Sequence, residues 1–156
     1  MHITQWGEYG LHCATFIADR QRAGSDAVPA VEIAEAQKIP VDYAQQILQR
    51  LRKNSIVKSV RGPQGGYLLS RQPSEITVRD ILVASEGETF EVICDSKPLN
   101  AERCSPNGQC NLRPLWYGLR KHVDEFLVKY TLEDLLTGSH LKDFPQDSTV
   151  KINPHL

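Results

Sequence analysis

The sequence predicts a mainly α-helical protein that carries one small two-stranded β-sheet. Three observations support this prediction. Apolar residues recur every three or four positions in several segments, as they do along the buried face of a helix. One glycine-rich stretch, residues 61–66, separates two short runs that favour strands. Basic residues are concentrated around that stretch rather than spread along the chain.

The first three predicted elements are helices joined by short turns. The first helix is expected over residues 4–21 and a short second helix over residues 31–36. A break at Pro40 precedes a third helix over residues 41–53. Two helices joined by a short turn, the second of them basic, match the helix-turn-helix pattern.

A β-hairpin and a fourth helix are predicted next. Residues 56–60 alternate apolar and polar side chains, residues 67–70 do so less regularly, and the glycine-rich turn joins them. Thr77 followed by Asp80 forms a capping pair for the start of the fourth helix. A hairpin directly after a helix-turn-helix makes a wing. We therefore assign residues 1–86 to a winged helix-turn-helix domain.

The C-terminal half divides into a loop, a long helix and a tail. Residues 87–111 are rich in Gly, Pro and Asn and are predicted to be a loop, and residues 139–156 a flexible tail. Between them, residues 112–138 are assigned to a long helix and a short C-terminal one. The long helix, Leu112 to Tyr130, shows a narrow apolar stripe that predicts a homodimer, the alternative being a helix packed on its own domain. The stripe consists of Leu112, Leu115, Trp116, Leu119, Val123, Phe126, Leu127 and Tyr130.

Charge and composition narrow the class of partner. The chain has 18 basic and 19 acidic residues, but residues 43–74 hold six basic residues and no acid, which leaves 12 against 19 elsewhere. Such segregation predicts contact with the phosphates of double-stranded DNA. No apolar run reaches the roughly 20 residues of a membrane span, and the N-terminus lacks a signal-peptide pattern. We expect no membrane association and a cytoplasmic location.

Specific DNA contacts are predicted from position and side-chain chemistry. The start of the third helix would face the major groove, where glutamine can pair with adenine and an acid with cytosine. Basic side chains further along would contact phosphate, and Arg61 at the wing tip would enter a minor groove. The alternative is that these charges form a solvated face. The candidate DNA-binding residues are Val41, Asp42, Tyr43, Gln45, Gln46, Arg50, Arg52, Lys53, Lys58 and Arg61.

Three cysteines in the loop suggest a metal site. In a reducing compartment, spaced cysteines more often bind metal or sense redox state than form structural disulfides. Cys94, Cys104 and Cys110 offer soft ligands but leave a fourth position open. Glu8 and His12, four residues apart on one helix face, could complete it. The alternatives are a surface Glu–His pair, free or redox-active thiols, or zinc. No nucleophile–base set, phosphate loop or HExxH motif is present, so we expect no enzyme.

Four motifs carry a resemblance to a known family. They are VRGPQGGYLL at residues 60–69 preceded by LRKN at 51–54, WGEYGL at 6–11, ITVRDI at 76–81 and YTLEDLL at 130–136. Taken in chain order, these motifs resemble those of the winged-helix iron–sulfur repressors that include IscR and NsrR. The resemblance implies a homodimer with crossed long helices. It also implies clusters held between the cysteine loop of one subunit and the first helix of the other, and promoter binding that depends on cluster state.

The cysteine pattern departs from the usual family spacing. The gap from Cys94 to Cys104 is longer than expected, and Arg113 stands where one branch has a ligating histidine. A redox-sensing branch with a [2Fe–2S] cluster is more similar, because it has an acid and a histidine spaced like Glu8 and His12. It implies Cys104 and Cys110 from one subunit with Glu8 and His12 from the other. The rival is a [4Fe–4S] cluster on Cys94, Cys104, Cys110 and Glu8. The alternative function is a clusterless regulator that senses a metabolite, a partner protein or thiol oxidation.

Overall fold

The computed structural model describes residues 3–88, 90–96, 100, 102, 104, 105, 107, 110–139 and 142. Within them the chain is mostly helical with one two-stranded antiparallel sheet, which confirms the predicted fold class. The elements, in chain order, are α1 (Gln5–Arg22), α2 (Ala30–Gln37), α3 (Val41–Lys53), β1 (Val57–Val60), β2 (Gly66–Leu69), a 3₁₀ turn (Pro73–Glu75), α4 (Val78–Glu86), α5 (Ile93–Ser96), α6 (Leu112–Lys129) and α7 (Leu132–Thr137).

We call α1–α4 together with the wing the head. It is built around one apolar core to which α1, α3, β1 and α4 contribute. Every fourth or third residue of α3 points inward: Ala44, Ile47, Leu48 and Leu51 are fully buried. This is the amphipathic pattern from which the helix was predicted. The opposite face of α3 is therefore polar and exposed to solvent.

The wing consists of β1 and β2 in the predicted antiparallel arrangement, with Val57 opposite Leu69 and Val60 opposite Gly66. Gly62 adopts a φ of +118°, in the left-handed region where a side chain is strained. Gly66 is needed for space, because a Cβ there would lie 2.3 Å from the carbonyl oxygen of Val28. That close approach lets Val28 and Tyr67 exchange two backbone hydrogen bonds of 2.8 Å. Gly66 thus allows the wing to pair with the chain just before α2.

α1 and α4 pack against each other with almost no intervening side chain. A Cβ on Gly10 would lie 1.9 Å from Ser85 Oγ, and one on Gly7 would lie 2.8 Å from Glu86 Oε1. Glu86 also accepts a 2.8 Å hydrogen bond from the Thr4 amide at the start of α1. The predicted capping pair of α4 is present, with Asp80 N donating to Thr77 Oγ1 and Thr77 N to Asp80 Oδ2. The two helices are therefore held at a fixed distance.

α7 returns to the head instead of extending from α6. Val78 N donates to Tyr130 O at 2.9 Å, and Leu132 N donates to Ile76 O at 2.8 Å. Leu132 is fully buried in the core of the head. The sequence analysis groups α7 with α6 in residues 112–138. In the structure, α7 packs against the head.

The region predicted to be a loop contains the short helix α5, which the sequence reading missed. α6 ends one residue before the predicted Tyr130, and none of its residues is buried. The predicted flexible tail, residues 139–156, lies outside the described residues except for Ser139 and Lys142. None of the helices in the described ranges is both long enough and apolar enough to span a bilayer.

Candidate DNA-binding surface and metal-ligand residues

The outer face of α3 presents a polar surface beside the wing. Asp42, Gln45 and Gln46, which were predicted to face the major groove, are exposed on it. Gln49 is exposed on the same face and was missed, although its spacing of three and four from the two other glutamines would have indicated it. Val41 is half-buried at the start of the helix. Three glutamines and one acid therefore place hydrogen-bonding groups on this exposed face.

Tyr43 and Arg50 contact α1. The Tyr43 ring lies 4.8 Å from the Trp6 ring and 5.8 Å from the Tyr9 ring, the latter edge-on. The Arg50 guanidinium lies 3.9 Å above the Trp6 ring, and its Nη1 donates a 2.7 Å hydrogen bond to Ser85 O. Both residues thus connect α3 to the helix that carries Glu8 and His12.

The remaining predicted basic residues differ in surroundings. Arg61 is exposed at the wing tip and Lys53 at the end of α3. Arg52 Nη1 lies 3.4 Å from Ser59 Oγ on the wing, a long hydrogen bond. Lys58 and Arg22, the last residue of α1, both line a cleft of about 760 Å³. Arg61, Lys53 and Arg52 are placed to extend the polar surface of α3 towards the wing.

Glu8 and His12 lie side by side on α1, as their spacing predicted. His12 Nε2 and Glu8 Oε1 are 3.2 Å apart, and the side chains are 55% and 63% exposed, respectively. Both face away from the core, since the buried residues of α1 occupy its opposite side. Cys13 is fully buried there, and desolvation raises its thiol pKa to about 12. Cys13 is therefore shielded from solvent, whereas Glu8 and His12 are exposed.

The loop cysteines are half-buried: Cys94 on α5, Cys104 in the loop and Cys110 just before α6. Among the described residues, no three His, Cys, Asp or Glu side chains lie close enough to hold a metal ion. The structure therefore brings Glu8 and His12 together but gathers no complete ligand set among the described residues of one chain.

Polar contacts fasten the cysteine-containing segment to α6. The Arg113 guanidinium donates through Nη1 to Ser105 O at 3.0 Å and through Nη2 to Cys104 O. On the other side, Asp95 accepts from the Tyr117 hydroxyl and from Arg120 Nη1, the latter at 2.9 Å. The Tyr117 hydrogen bond, assisted by Arg120, lowers the pKa of Asp95. Sequence reasoning considered Arg113 only as a failed ligand and did not foresee these contacts.

α6 exposes most of the predicted apolar stripe, but Val123 and Leu127 are half-buried, and Tyr130, just after the helix, is buried. Its large side chains are strongly exposed in the single chain, with Leu115 at 58% and Leu119 at 43%. Leu112, Trp116 and Phe126 are exposed on the same side. A stripe of this length along one helix is an unusual amount of apolar surface to leave in water.

Comparison with known proteins identifies the relatives of this chain. The sequence profile of the family described as "Rrf2: Iron-dependent Transcriptional regulator" matches residues 3–138. The chain belongs to the Rrf2 family. An HTH-type transcriptional regulator IscR from Photorhabdus laumondii is 34% identical over 143 residues, which are 92% of this chain and 84% of that protein.

Two solved Rrf2-like structures share the fold. The T. potens IscR structure is 29% identical with a TM-score of 0.68, covering 94% of this chain and 93% of that one. CymR, the global cysteine regulator of B. subtilis, is 30% identical with a TM-score of 0.70, covering 88% and 98%. This Rrf2 protein is therefore a DNA-binding transcriptional regulator with a winged-helix fold. Its relatives are regulators rather than enzymes, in agreement with the sequence prediction.

Proposed function

We propose that this Rrf2-family protein is a homodimeric repressor whose binding to promoter DNA depends on an iron–sulfur cluster held between its subunits. One observation carries the proposal: Glu8 and His12 are exposed side by side on α1, and the same helix contacts α3 through its aromatic residues. A change at the exposed pair would thus reach the helix that reads DNA. Since its target is promoter DNA, we place the protein in the cytoplasm.

DNA recognition is assigned to α3 and the wing. Asp42, Gln45, Gln46 and Gln49 are placed to read base edges in a major groove. Lys53 and Arg52 would contact phosphates, which orients the protein without reading sequence. Arg61 is proposed to enter the adjacent minor groove. This arrangement predicts binding that weakens steeply as salt concentration rises.

The donor chemistry fits an iron–sulfur cluster only if two chains contribute. Thiolates suit iron–sulfur clusters, and a carboxylate and an imidazole are established iron ligands. We assign Cys104 and Cys110 of one subunit with Glu8 and His12 of the partner subunit, around a [2Fe–2S] cluster. A [4Fe–4S] cluster that also uses Cys94 is the rival. When bound, the cluster would supply a redox-dependent change of charge.

The dimer is proposed to form through the apolar stripe of α6, the residues around Leu115 and Leu119. Burying a large apolar side chain contributes about 1.5–3 kcal/mol, so even a few pairs along the stripe would support association. Association would also bring the cysteine loop of one subunit near α1 of the other. The exposure of Glu8 and His12 in the single chain agrees with a role in contacting a partner.

Signal transmission is assigned to the contact between α1 and α3. Trp6 and Tyr9 pack on Tyr43 of α3, and Arg50 of α3 stacks on Trp6 while binding Ser85 of α4. A ligand bound to Glu8 and His12 that shifts α1 would therefore shift α3. Because two recognition helices must match two half-sites, a small change in their spacing alters promoter affinity.

The test combines spectroscopy with two substitutions in anaerobically purified protein. Native mass spectrometry should show a dimer with two irons and two sulfides per subunit. Glu8→Ala and His12→Ala should each change the optical and EPR spectra, because each would remove one proposed ligand. Unchanged spectra in both variants would refute the cross-subunit site. Four irons and four sulfides per subunit would instead support the site that includes Cys94.

A clusterless regulator is the second candidate, and one observation favours it. A solved relative of similar fold, 30% identical to this chain, is a cysteine regulator. In that case a metabolite, a partner protein or oxidation of Cys104 and Cys110 would be the signal. Colourless, metal-free protein after strictly anaerobic purification would support this candidate over the cluster.

A further inference from the structure

A second face of α6 is distinct from its apolar stripe. Arg113, Tyr117, Arg120 and Asp124 follow one another at spacings of four, three and four residues, which aligns them along one side of the helix. We call these four residues the anchor face. All four make polar contacts with segments of the same chain. The anchor face therefore belongs to the architecture of the single subunit.

The anchor face connects the cysteine loop to the DNA-binding head. At its far end, Asp124 Oδ1 accepts a 2.8 Å hydrogen bond from Arg79 Nε of α4, which raises the pKa of the Arg79 guanidinium. In the middle, Tyr117 and Arg120 hold Asp95, the residue after Cys94. At the near end, Arg113 holds the carbonyl groups of Cys104 and Ser105. The residue next to Cys94 and the backbone at Cys104 are thus both held by α6.

Arg113 makes the contact nearest to a proposed ligand. Its planar guanidinium carries several donors in a fixed fork, so one side chain can serve two successive carbonyl groups. Its Nε is buried without a hydrogen-bond partner among the described residues. Leaving a buried donor unpaired is unfavourable, and the two charge-assisted hydrogen bonds to the loop offset that cost. The orientation of Arg113 is therefore determined by the cysteine loop.

We infer that Arg113 is a positioning residue that holds Cys104 in the conformation in which it serves as a ligand. Its guanidinium acts through the backbone carbonyls of Cys104 and Ser105 and does not itself bind the metal. The inference rests on the proposed function for the role of Cys104, but the position of that cysteine can be measured without a cluster. Without Arg113, the Cys104 segment detaches from α6 and samples open conformations.

The test measures alkylation rates of individual cysteines by mass spectrometry in iron-free, reduced protein. Arg113→Gln should raise the rate at Cys104 by at least about tenfold, the factor expected from the loss of even one of the two charge-assisted hydrogen bonds that Arg113 makes to the loop. Arg113→Lys should give an intermediate rate, because a lysine keeps the charge and donors but loses the fork. Lys121→Gln is the matched control, since Lys121 is 73% exposed on the same helix and pairs only with Glu125, at 3.7 Å, among the described contacts.

Cys13 is the internal reference, because it is fully buried in the core of the head. Equal rates at Cys104 in the Arg113→Gln and Lys121→Gln proteins would overturn the inference. A rise shared by Cys13 would show general loosening and would also overturn the local role.

The same variants, purified anaerobically, separate the inference from the proposed function. If the parent protein is coloured, Arg113→Gln should lose its visible absorbance at least several times faster and Lys121→Gln should not. A colourless parent would refute the proposed cluster, and the alkylation rates would still decide the role of Arg113. A coloured parent with equal cluster lifetimes in both variants would overturn the role of Arg113 and leave the cluster proposal standing.

Discussion

Arg50 and Lys53 lie three residues apart on α3, and the fold uses them differently. Both belong to the basic segment that indicated DNA binding, and sequence alone assigned both to phosphate contacts. In the structure both residues are exposed, but Arg50 stacks on Trp6 and donates a hydrogen bond to Ser85 O, whereas Lys53 makes no such contact among the described residues. Charge at a position thus predicts a possible DNA contact, but the packing around it decides whether the side chain is available.

This difference predicts separable effects of removing each charge. Arg50→Met should lower the free energy of unfolding by about 1–2 kcal/mol, because a cation–π contact and a charged hydrogen bond are lost. Lys53→Met should change that free energy by less than about 0.5 kcal/mol. It should instead reduce the slope of log affinity against log salt by about 1, as expected for one lost phosphate contact.

Urea unfolding and DNA-binding titrations at several salt concentrations measure the two effects on the same proteins. Equal stability losses in both variants would contradict the structural role of Arg50. An unchanged salt slope in Lys53→Met would remove Lys53 from the DNA-binding surface.

At the scale of elements, the contact between α1 and α4 fixes the position of the helix that carries Glu8 and His12. Gly7 and Gly10 let α4 approach α1 so closely that Ser85 and Glu86 occupy the space of their missing side chains. α4 in turn contacts α3 through Ser85 O and α6 through Arg79. α4 is thus the helix that both the DNA-reading helix and the anchor face contact.

Gly10→Ala should therefore destabilise the protein, even though alanine is the better helix former. The new Cβ would overlap Ser85 Oγ, and overpacking of this kind costs about 1–3 kcal/mol. In a Ser85→Gly background the same change should become favourable by up to about 1 kcal/mol, since only helix propensity remains. Denaturation midpoints of the four proteins complete a double-mutant cycle. Additive effects would show that the two residues do not compete for space.

At the scale of the whole molecule, two faces of α6 have different surroundings. The anchor face contacts the chain's own loop and head, and the apolar stripe is left to the solvent in the single chain. A small winged head with a long exposed apolar stripe is a reasonable half of a symmetric dimer, because a two-fold axis pairs the stripe with itself. In the proposed dimer, two heads would present two recognition helices to DNA.

If the dimer forms through the stripe, the effect of a new charge on the oligomeric state should depend on which face of α6 carries it. Leu119→Asp, on the stripe, should shift the protein from dimer to monomer by sedimentation or light scattering and weaken operator binding. Val128→Asp is the matched control, since Val128 is 50% exposed against 43% for Leu119 but lies on the opposite side of the helix. A monomer in both variants, or a dimer in both, would place the interface elsewhere.

Sequence by itself determined the class and the order of the elements. Apolar spacing, capping residues and the glycine-rich turn are local signals, and local signals specified α1–α4, the wing and α6, with α3 assigned residue for residue. The Glu8–His12 pair was also local, because residues four apart must be neighbours on a helix. Only the tertiary structure decided what depends on contacts distant in the chain: Arg50 on Trp6, α7 within the head, and Arg113 on the Cys104 loop. Sequence spacing carries no information about such contacts, since packing of separate elements alone determines which side chains meet.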